Sequence, residues 1–366
     1  MTATARDSAE AAAWIDGERA MFDLAVSQAA RLIGASVAAV FAHLGSDAAG
    51  AREAVLLAEQ VGGALDHASS AAMLANLDAM RETGVMLITP LEAAVRADVV
   101  WLIGDSMFEA WPELESRILA RARRSPAENA TRRVVWTRTT AAAAAAPLGA
   151  TTCTMGEGVE RLDHLASLRA RANRRVVGAN DDTDAIAAIL RDAKFGVAIW
   201  SAAEMEPLAI EAINGLVRDL NETSRFSTLP LVSADNGAGV EAVCAWMTGF
   251  PLRTGFARGG PQHDPWRYDS RRLISAGETD CVIWVSSFEG GAAPGAPVHI
   301  ALCEPGVVAA ARVRIDMARP GVDHDAVLYD ARIGALVAQT AARPQAKPTV
   351  AATLAAIRAK IGGAPC

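Results

Sequence analysis

The sequence is short of the residues that hold metals, staple chains together or cross membranes. Only five cysteines occur among 366 residues: Cys153, Cys244, Cys281, Cys303 and Cys366. The nearest two stand about twenty residues apart, so their spacing offers no CxxC-type ligand pair and no disulfide framework. The six histidines show no HxH or HExxH spacing. No apolar run reaches the roughly 18 residues of a membrane span, and Met1–Glu10 is polar and acidic where a leader peptide needs an apolar stretch. A cytoplasmic protein without membrane contact is expected. Clustered positive charge is lacking as well, the basic residues being scattered. The net charge is −7, and the densest basic run, Arg121, Arg123 and Arg124, ends a predicted helix, where cations complement the dipole. Nucleic-acid binding needs a basic face, and none is visible. No GxGxxG follows a strand.

What is present is material for a core. Hydrophobic residues make up 51% and charged ones 21%, and the length suits two domains or one large unit with an insertion. Apolar spacing predicts a helix over 8–33, a strand over Ser36–Phe41, helices over 51–61 and 69–82, and strands at Val85–Ile88 and Val99–Ile103. The last is a continuous apolar run, which suits a strand buried on both faces of a parallel sheet. A helix over Trp111–Arg123, a strand at Arg133–Trp136 and an alanine-rich connector over 141–146 follow. Helices are then expected over 157–172, 182–192, 204–220 and 238–247, with strands at Phe195–Trp200, Leu229–Val232, Val282–Val285 and Val298–Leu302. Gly306–Ile315 and Ala326–Tyr329 read as β-ribbon before a last helix over 349–361. Alternating strands and helices imply doubly wound parallel sheets.

Several clusters carry two readings each. His43 follows a strand and faces either a cleft or the interior. Asp66-His67 comes after a glycine-rich turn, where open α/β sheets place ligand crevices, but neighbours in sequence seldom point the same way. Asp235-Asn236-Gly237-Ala238-Gly239 either lets backbone amides approach an anion or simply caps a helix. The segment from Thr248 to Trp266 is rich in Gly and Pro yet holds Arg258, His263 and Asp264; an irregular loop of this length points to function or assembly.

The run Ala234–Phe288 resembles the B subunit of formylmethanofuran dehydrogenase. The matching features are the small-residue start Asn236–Gly239, the element Trp246-Met247-Thr248-Gly249-Phe250-Pro251, the Gly260-Pro261 loop and the strand lead-in Leu273–Cys281. Trp14-Ile15-Asp16-Gly17 and Arg96–Val100 leading to Gly104 also fit, so the resemblance extends over most of the chain. It implies a molybdopterin-oxidoreductase-like α/β fold with Rossmann-like domains, a segment of 95–235 being inserted into a discontinuous domain of 1–94 and 236–366. Relatives in that fold hold a tungsten or molybdenum pterin and a [4Fe–4S] cluster. Here the cluster cysteines are missing before the first helix, Ser69-Ser70-Ala71-Ala72-Met73 stands where the metal-ligating cysteine falls, Asp105-Ser106 replaces an Asn-Pro-type turn, and Ser287-Phe288 replaces an Asp-Pro. Thiolates are what bind such centres, so both cofactors are expected to be absent.

The degenerate pattern is similar to the B subunit of the bacterial formyltransferase/hydrolase complex. That resemblance implies a non-catalytic structural role beside an amidohydrolase-like A subunit, a C subunit and a formyltransferase D subunit. Such a complex takes formyl-tetrahydromethanopterin through a formylmethanofuran-type carrier to formate. Two alternatives stay open: an active tungsten or molybdenum enzyme component, or a module that binds the carrier's acidic tail in the old cleft. For carrier binding or an interface the candidates are Asn236, Arg253, Arg258, His263, Arg267 and Arg271, with Arg272 beside them.

Overall fold

In the computed structural model, residues 12–120, 132–140, 149–175, 181–231, 235–290, 295, 298–307 and 310–362 are described. The alanine-rich connector, Arg121, Arg123, Arg124, Val232 and Cys366 lie outside them. The chain divides into two compact units. The first comprises Met1–Ser70, Ala234–Tyr329 and Leu336–Cys366, and the second Ala71–Ser233 with Asp330–Ala335.

The second unit is built on a parallel sheet in the order Thr151–Thr154, Arg133–Arg138, Val99–Ile103, Phe195–Ser201, Arg225–Leu231. Alternate residues of Val99–Ile103 enter different cores. Val99, Trp101 and Ile103 pack against Leu165, Ile186 and Ile213 of the helices Val159–Ala172, Asp181–Arg191 and Pro207–Leu220. Val100 and Leu102 pack against Ala93, Met107 and Ile118 on the other face. Both faces are covered, which is why this strand has no polar residue. Trp101 and Trp200 are fully buried. Each removes on the order of 200 Å² from water, worth roughly 5 kcal/mol of transfer free energy. Their indole N–H groups donate to Thr137 Oγ1 at 2.8 Å and Asn76 Oδ1 at 3.1 Å.

The first unit holds a nine-stranded mixed sheet in the order Gln262–His263, Thr254–Gly255, Ala64–Leu65, Ala39–Gly45, Cys281–Ser286, Val298–Cys303, Ala311–Asp316, Ala13–Ile15, Glu18–Ala20. The strands from Ala64–Leu65 to Ala311–Asp316 run parallel; the outer ones are antiparallel. The C-terminal helix Val350–Gly362 packs on Ala48–Val61 and Phe22–Gly34, with Arg358 paired to the buried Glu53 at 3.0 Å. A separate ribbon pairs Ala326–Asp330 with Ala335–Gln339.

The structure departs from expectation at identifiable places. The helix expected over 8–33 begins only at Phe22, because Asp16 and Gly17, both at positive φ, turn the chain into a hairpin between Ala13–Ile15 and Glu18–Ala20. The strand expected from Ser36 starts at Ala39: the Asp280 carboxylate accepts from Ser36 Oγ and from the N–H groups of Val37 and Ala38, holding them in a turn. Val85–Ile88 forms only an isolated bridge through Leu87. Of the helix expected over Trp111–Arg123, the described part Trp111–Ala120 holds only a π-helical turn at Glu115–Leu119, and a short helix Met107–Ala110 precedes it. Ala311–Asp316 is a strand of the large sheet rather than ribbon. The second unit begins at Ala71 and not near residue 95, since Ala75 and Ala79 pack in the core around Trp101 and Trp200.

Candidate functional site

Ligands of open α/β sheets lie outside the C-terminal ends of strands, where strand order reverses. Each unit has such a point. In the second unit the strands, counted along the chain, stand in the order 3-2-1-4-5, and the reversal separates Val99–Ile103 from Phe195–Ser201. Gly104, Asp105 and Ser106 follow the former; Ala202–Glu204 follow the latter. The crevice is filled by the protein itself. Glu204 Oε1 accepts the N–H of Asp105 at 2.7 Å and of Ser106 at 2.8 Å, and Oε2 accepts from Thr139 Oγ1 at 3.2 Å. Gly104, at φ +89°, lets the carboxylate in, because a Cβ there would overlap it. Asp105 turns to Arg138 at 3.4 Å, and the buried Arg161 holds Glu206 at 2.8 Å and the Glu204 carbonyl. The backbone N–H groups that would meet an anion already have one.

In the first unit the five parallel strands stand in the order 2-1-3-4-5, and the reversal separates Ala39–Gly45 from Cys281–Ser286. His43, at φ +63°, sits where the register between these strands shifts. Such bulges re-aim side chains. The His43 ring stacks on Trp284 with centroids 4.5 Å apart, and its Nε2 lies 3.1 Å from Asp235 Oδ2. Asp235, also at positive φ, accepts at its carbonyl from His67 Nε2 at 3.3 Å. His67 Nδ1 accepts the N–H of Ser69 at 3.0 Å, which fixes the neutral Nε2–H tautomer. Burial pushes its pKa down to about 4, against the pull of the hydrogen bond to the Asp235 carbonyl. Asp66 points elsewhere, accepting from Ser270 N and Oγ at 2.8 and 2.7 Å and from Arg253 Nε at 3.4 Å. Asp66 and His67 are therefore not a catalytic pair. Trp284 Nε1 and Ser286 Oγ are buried at this strand end with no hydrogen-bond partner among the described residues.

The six residues named for carrier binding or an interface separate into two groups. Asn236 does not cap the helix Gly237–Thr248 with its side chain; Nδ2 donates to Ser46 O at 2.8 Å and Oδ1 accepts from Tyr329 N at 2.8 Å. Arg253 is spent on Asp66, on Asp269 at 2.8 Å and on the Pro265 carbonyl at 2.8 Å. His263 Nδ1 lies 3.1 Å from the Arg253 carbonyl, and its ring stacks on Phe250. Arg253 and His263 hold the loop together, whereas Asn236 ties Ser46 to Tyr329. Arg258, Arg267 and Arg271 are exposed. Arg272 is committed to Glu278 at 2.7 Å and lies over the Trp266 ring. Sequence reading misses Glu204, and it offers Asp235 as a helix cap or part of an anion site rather than as a partner of His43 and His67. Nothing in spacing marks Glu204; Trp246 and Trp266 sit in the loop motif but look apolar in sequence.

The four described thiols are scattered and inert. Burial pushes Cys153 and Cys281 up to about 12, and Cys244 and Cys303 up to about 11. Among the described residues no group of three or more His, Cys, Asp or Glu side chains is arranged to hold a metal ion, and no helix is long and apolar enough to cross a membrane.

No family model matches the chain. Over 361 residues it is 33% identical to the B subunit of the formyltransferase/hydrolase complex Fhc of Methylorubrum extorquens, covering 96% of this chain and 97% of that protein. The B subunit of tungsten-containing formylmethanofuran dehydrogenase 2 of Methanocaldococcus jannaschii is 26% identical over 296 residues, 76% of this chain and 67% of that protein. The fold matches a chain of the crystal structure of the formyltransferase/hydrolase complex (FhcABCD) from Methylorubrum extorquens in complex with methylofuran. The TM-score is 0.86 at 32% identity, covering 96% of this chain and 98% of that one.

Proposed function

We infer the function of this chain from one premise: it belongs to the family of the B subunit of the formyltransferase/hydrolase complex. It is a structural component of such a complex, standing beside the A, C and D subunits. The complex moves a formyl group from formyl-tetrahydromethanopterin through a methanofuran-type carrier to formate, and the chemistry belongs to the partner subunits. The observation that carries this reading is the match along nearly the whole of both chains, in sequence and in fold.

The scaffold is that of the molybdopterin oxidoreductases, with the cofactor lost. The residues present do not fit a tungsten or molybdenum pterin or a [4Fe–4S] cluster. A soft metal needs thiolates, whereas the four described thiols stand on separate elements with raised pKa values. In the segment where the metal-ligating cysteine falls, Ser69 and Ser70 bind the backbone and ring of His67. The turn Gly104–Ser106, where an anionic group would sit, is taken by Glu204. No step of the reaction is routed through such a group.

The test is to purify the chain with its natural partners and to measure tungsten, molybdenum, iron and pterin per copy. Absence of all four, with formyl transfer and hydrolysis intact, is the expected result. Stoichiometric pterin or tungsten would sink the cofactor-free reading, and failure of the chain to co-purify with the other subunits would sink the assembly reading.

A further inference from the structure

We propose that Trp246, Phe250 and Trp266, with Arg258, Arg267 and Arg271 around them, form the surface on which a partner subunit docks, and that this partner offers an apolar socket ringed by carboxylates. The proposal rests on the assembly reading above.

The eight tryptophans show the asymmetry. Six are buried or half-buried; Trp246 and Trp266, exposed at 71% and 70%, lie in one stretch of the first unit. Exposed tryptophan is uncommon, and at interfaces tryptophan and arginine carry a disproportionate share of the binding energy. The stretch is continuous. The helix bearing Trp246 ends at Gly249 in a left-handed cap, and the Phe250 N–H donates to Thr248 Oγ1 at 3.1 Å. The Phe250 ring stacks on His263 at 6.4 Å, and Asp264 next door accepts the N–H groups of Trp266 and Arg267 at 3.0 and 2.8 Å. The Arg272 guanidinium, held by Glu278, backs the Trp266 indole at 4.1 Å. The indole is thus pre-positioned in water, which lowers the ordering cost of binding.

Charge identifies the partner. The carboxylates of this stretch are used internally: Asp264 on backbone N–H groups, Asp269 on Arg253 and Glu278 on Arg272. Arg258, Arg267 and Arg271 form no ion pair among the described residues, in a chain whose net charge is −7. An acidic partner is therefore repelled by most of the molecule and attracted here, which orients its approach. A bare acidic polymer would use the arginines and leave the indoles in water. A second copy docking through a two-fold axis would set arginines against arginines.

The experiment uses the full chain co-expressed with its partner subunits, with Trp246→Ala, Trp266→Ala and the triple reversal Arg258→Glu, Arg267→Glu, Arg271→Glu. Leu91→Ala, at an exposed position of the second unit, is the control. All the substituted side chains are exposed, so the melting temperature should stay within a few degrees of wild type. Each tryptophan variant is expected to speed dissociation from the complex by roughly tenfold or more, and the triple variant to slow association and lose its salt dependence. Assembly indistinguishable from wild type in all three would overturn the proposal while leaving the assembly reading intact. So would a loss of affinity for a glutamate oligomer with assembly unchanged, or a dimer of the isolated chain that Trp266→Ala dissolves. A wild-type chain that assembles with no partner removes both readings.

Discussion

The Glu204 carboxylate accepts the backbone N–H of Ser106 at 2.8 Å, so one strand end of the second unit's sheet is stoppered by a side chain from the turn after the neighbouring strand. The Asp105 N–H shares the same oxygen. Hydrogen bonds to a charged acceptor are the stronger kind, about 1.5–3 kcal/mol each when broken. Glu204→Ala is expected to lower the unfolding free energy by roughly 2–4 kcal/mol, read as a shift of the urea midpoint at constant slope. Gly104→Ala should cost at least as much, because its Cβ meets the carboxylate and its φ of +89° disfavours any side chain. An unchanged midpoint for both variants would mean that the turn stands without the carboxylate.

His67 sets an acid limit. Its folded pKa lies near 4, below the ordinary value of 6.5, because burial disfavours the imidazolium. Between these values the unfolded chain binds the proton and the folded chain does not, so stability rises with pH across that window and falls on acidification through it. The shift corresponds to at most about 3 kcal/mol. Buried carboxylates with lowered pKa values, Asp323 and Asp330 among them, also lose stability in acid. The comparison must therefore be between wild type and His67→Gln. The wild-type advantage at pH 7 should shrink toward zero by pH 4; a difference that is flat with pH would refute the buried neutral histidine.

Much of this architecture was legible wherever hydrophobic pattern and burial coincide. Val99–Ile103 reads as a two-face strand and is one, and Phe195–Ser201 and Cys281–Ser286 exceed their expected ends by only one residue each or so. The pattern failed where a single polar group overrides it. Asp280, far away in sequence, removes Ser36–Ala38 from the first strand, and the left-handed turn at Asp16-Gly17 converts a helical start into a hairpin. The crevices were less readable still. Their chemistry comes from residues that the topology brings together over long separations, such as His43 with Asp235 or Gly104 with Glu204. In sequence Arg253 reads as a candidate for carrier binding or an interface, but its three acceptors are visible only in the fold.

Asn236 is a test of structure against binding. Its side chain joins the Ser46 carbonyl to the Tyr329 N–H, and its amide fits only because Gly239 has no Cβ. Asn236→Ala removes both of these hydrogen bonds, each worth about 1–3 kcal/mol. A loss of roughly 2–4 kcal/mol in chemical denaturation is expected. Arg258→Ala, on the exposed hairpin, should fall within about 0.5 kcal/mol of wild type. Equal stability of the two variants would restore Asn236 as a candidate for ligand contact.

Glu241 opposes His67 in its pH dependence. It lies on the helix Gly237–Thr248, and burial raises its pKa from 4.5 to about 7. Here the folded chain holds the proton while the unfolded chain has already released it, so this group weakens the fold as pH rises from 4.5 to 7, and the penalty is complete above that. Glutamine keeps the shape and removes the ionisation. Allowing for the partial exposure of the carboxyl, Glu241→Gln should stabilise by about 1–2 kcal/mol at pH 8 and change nothing at pH 4. The measurement is the difference in unfolding free energy between variant and wild type across that range. A variant less stable than wild type at pH 8 would mean that the ionised carboxylate has a partner when the chain is folded, and that the helix is anchored by it rather than burdened.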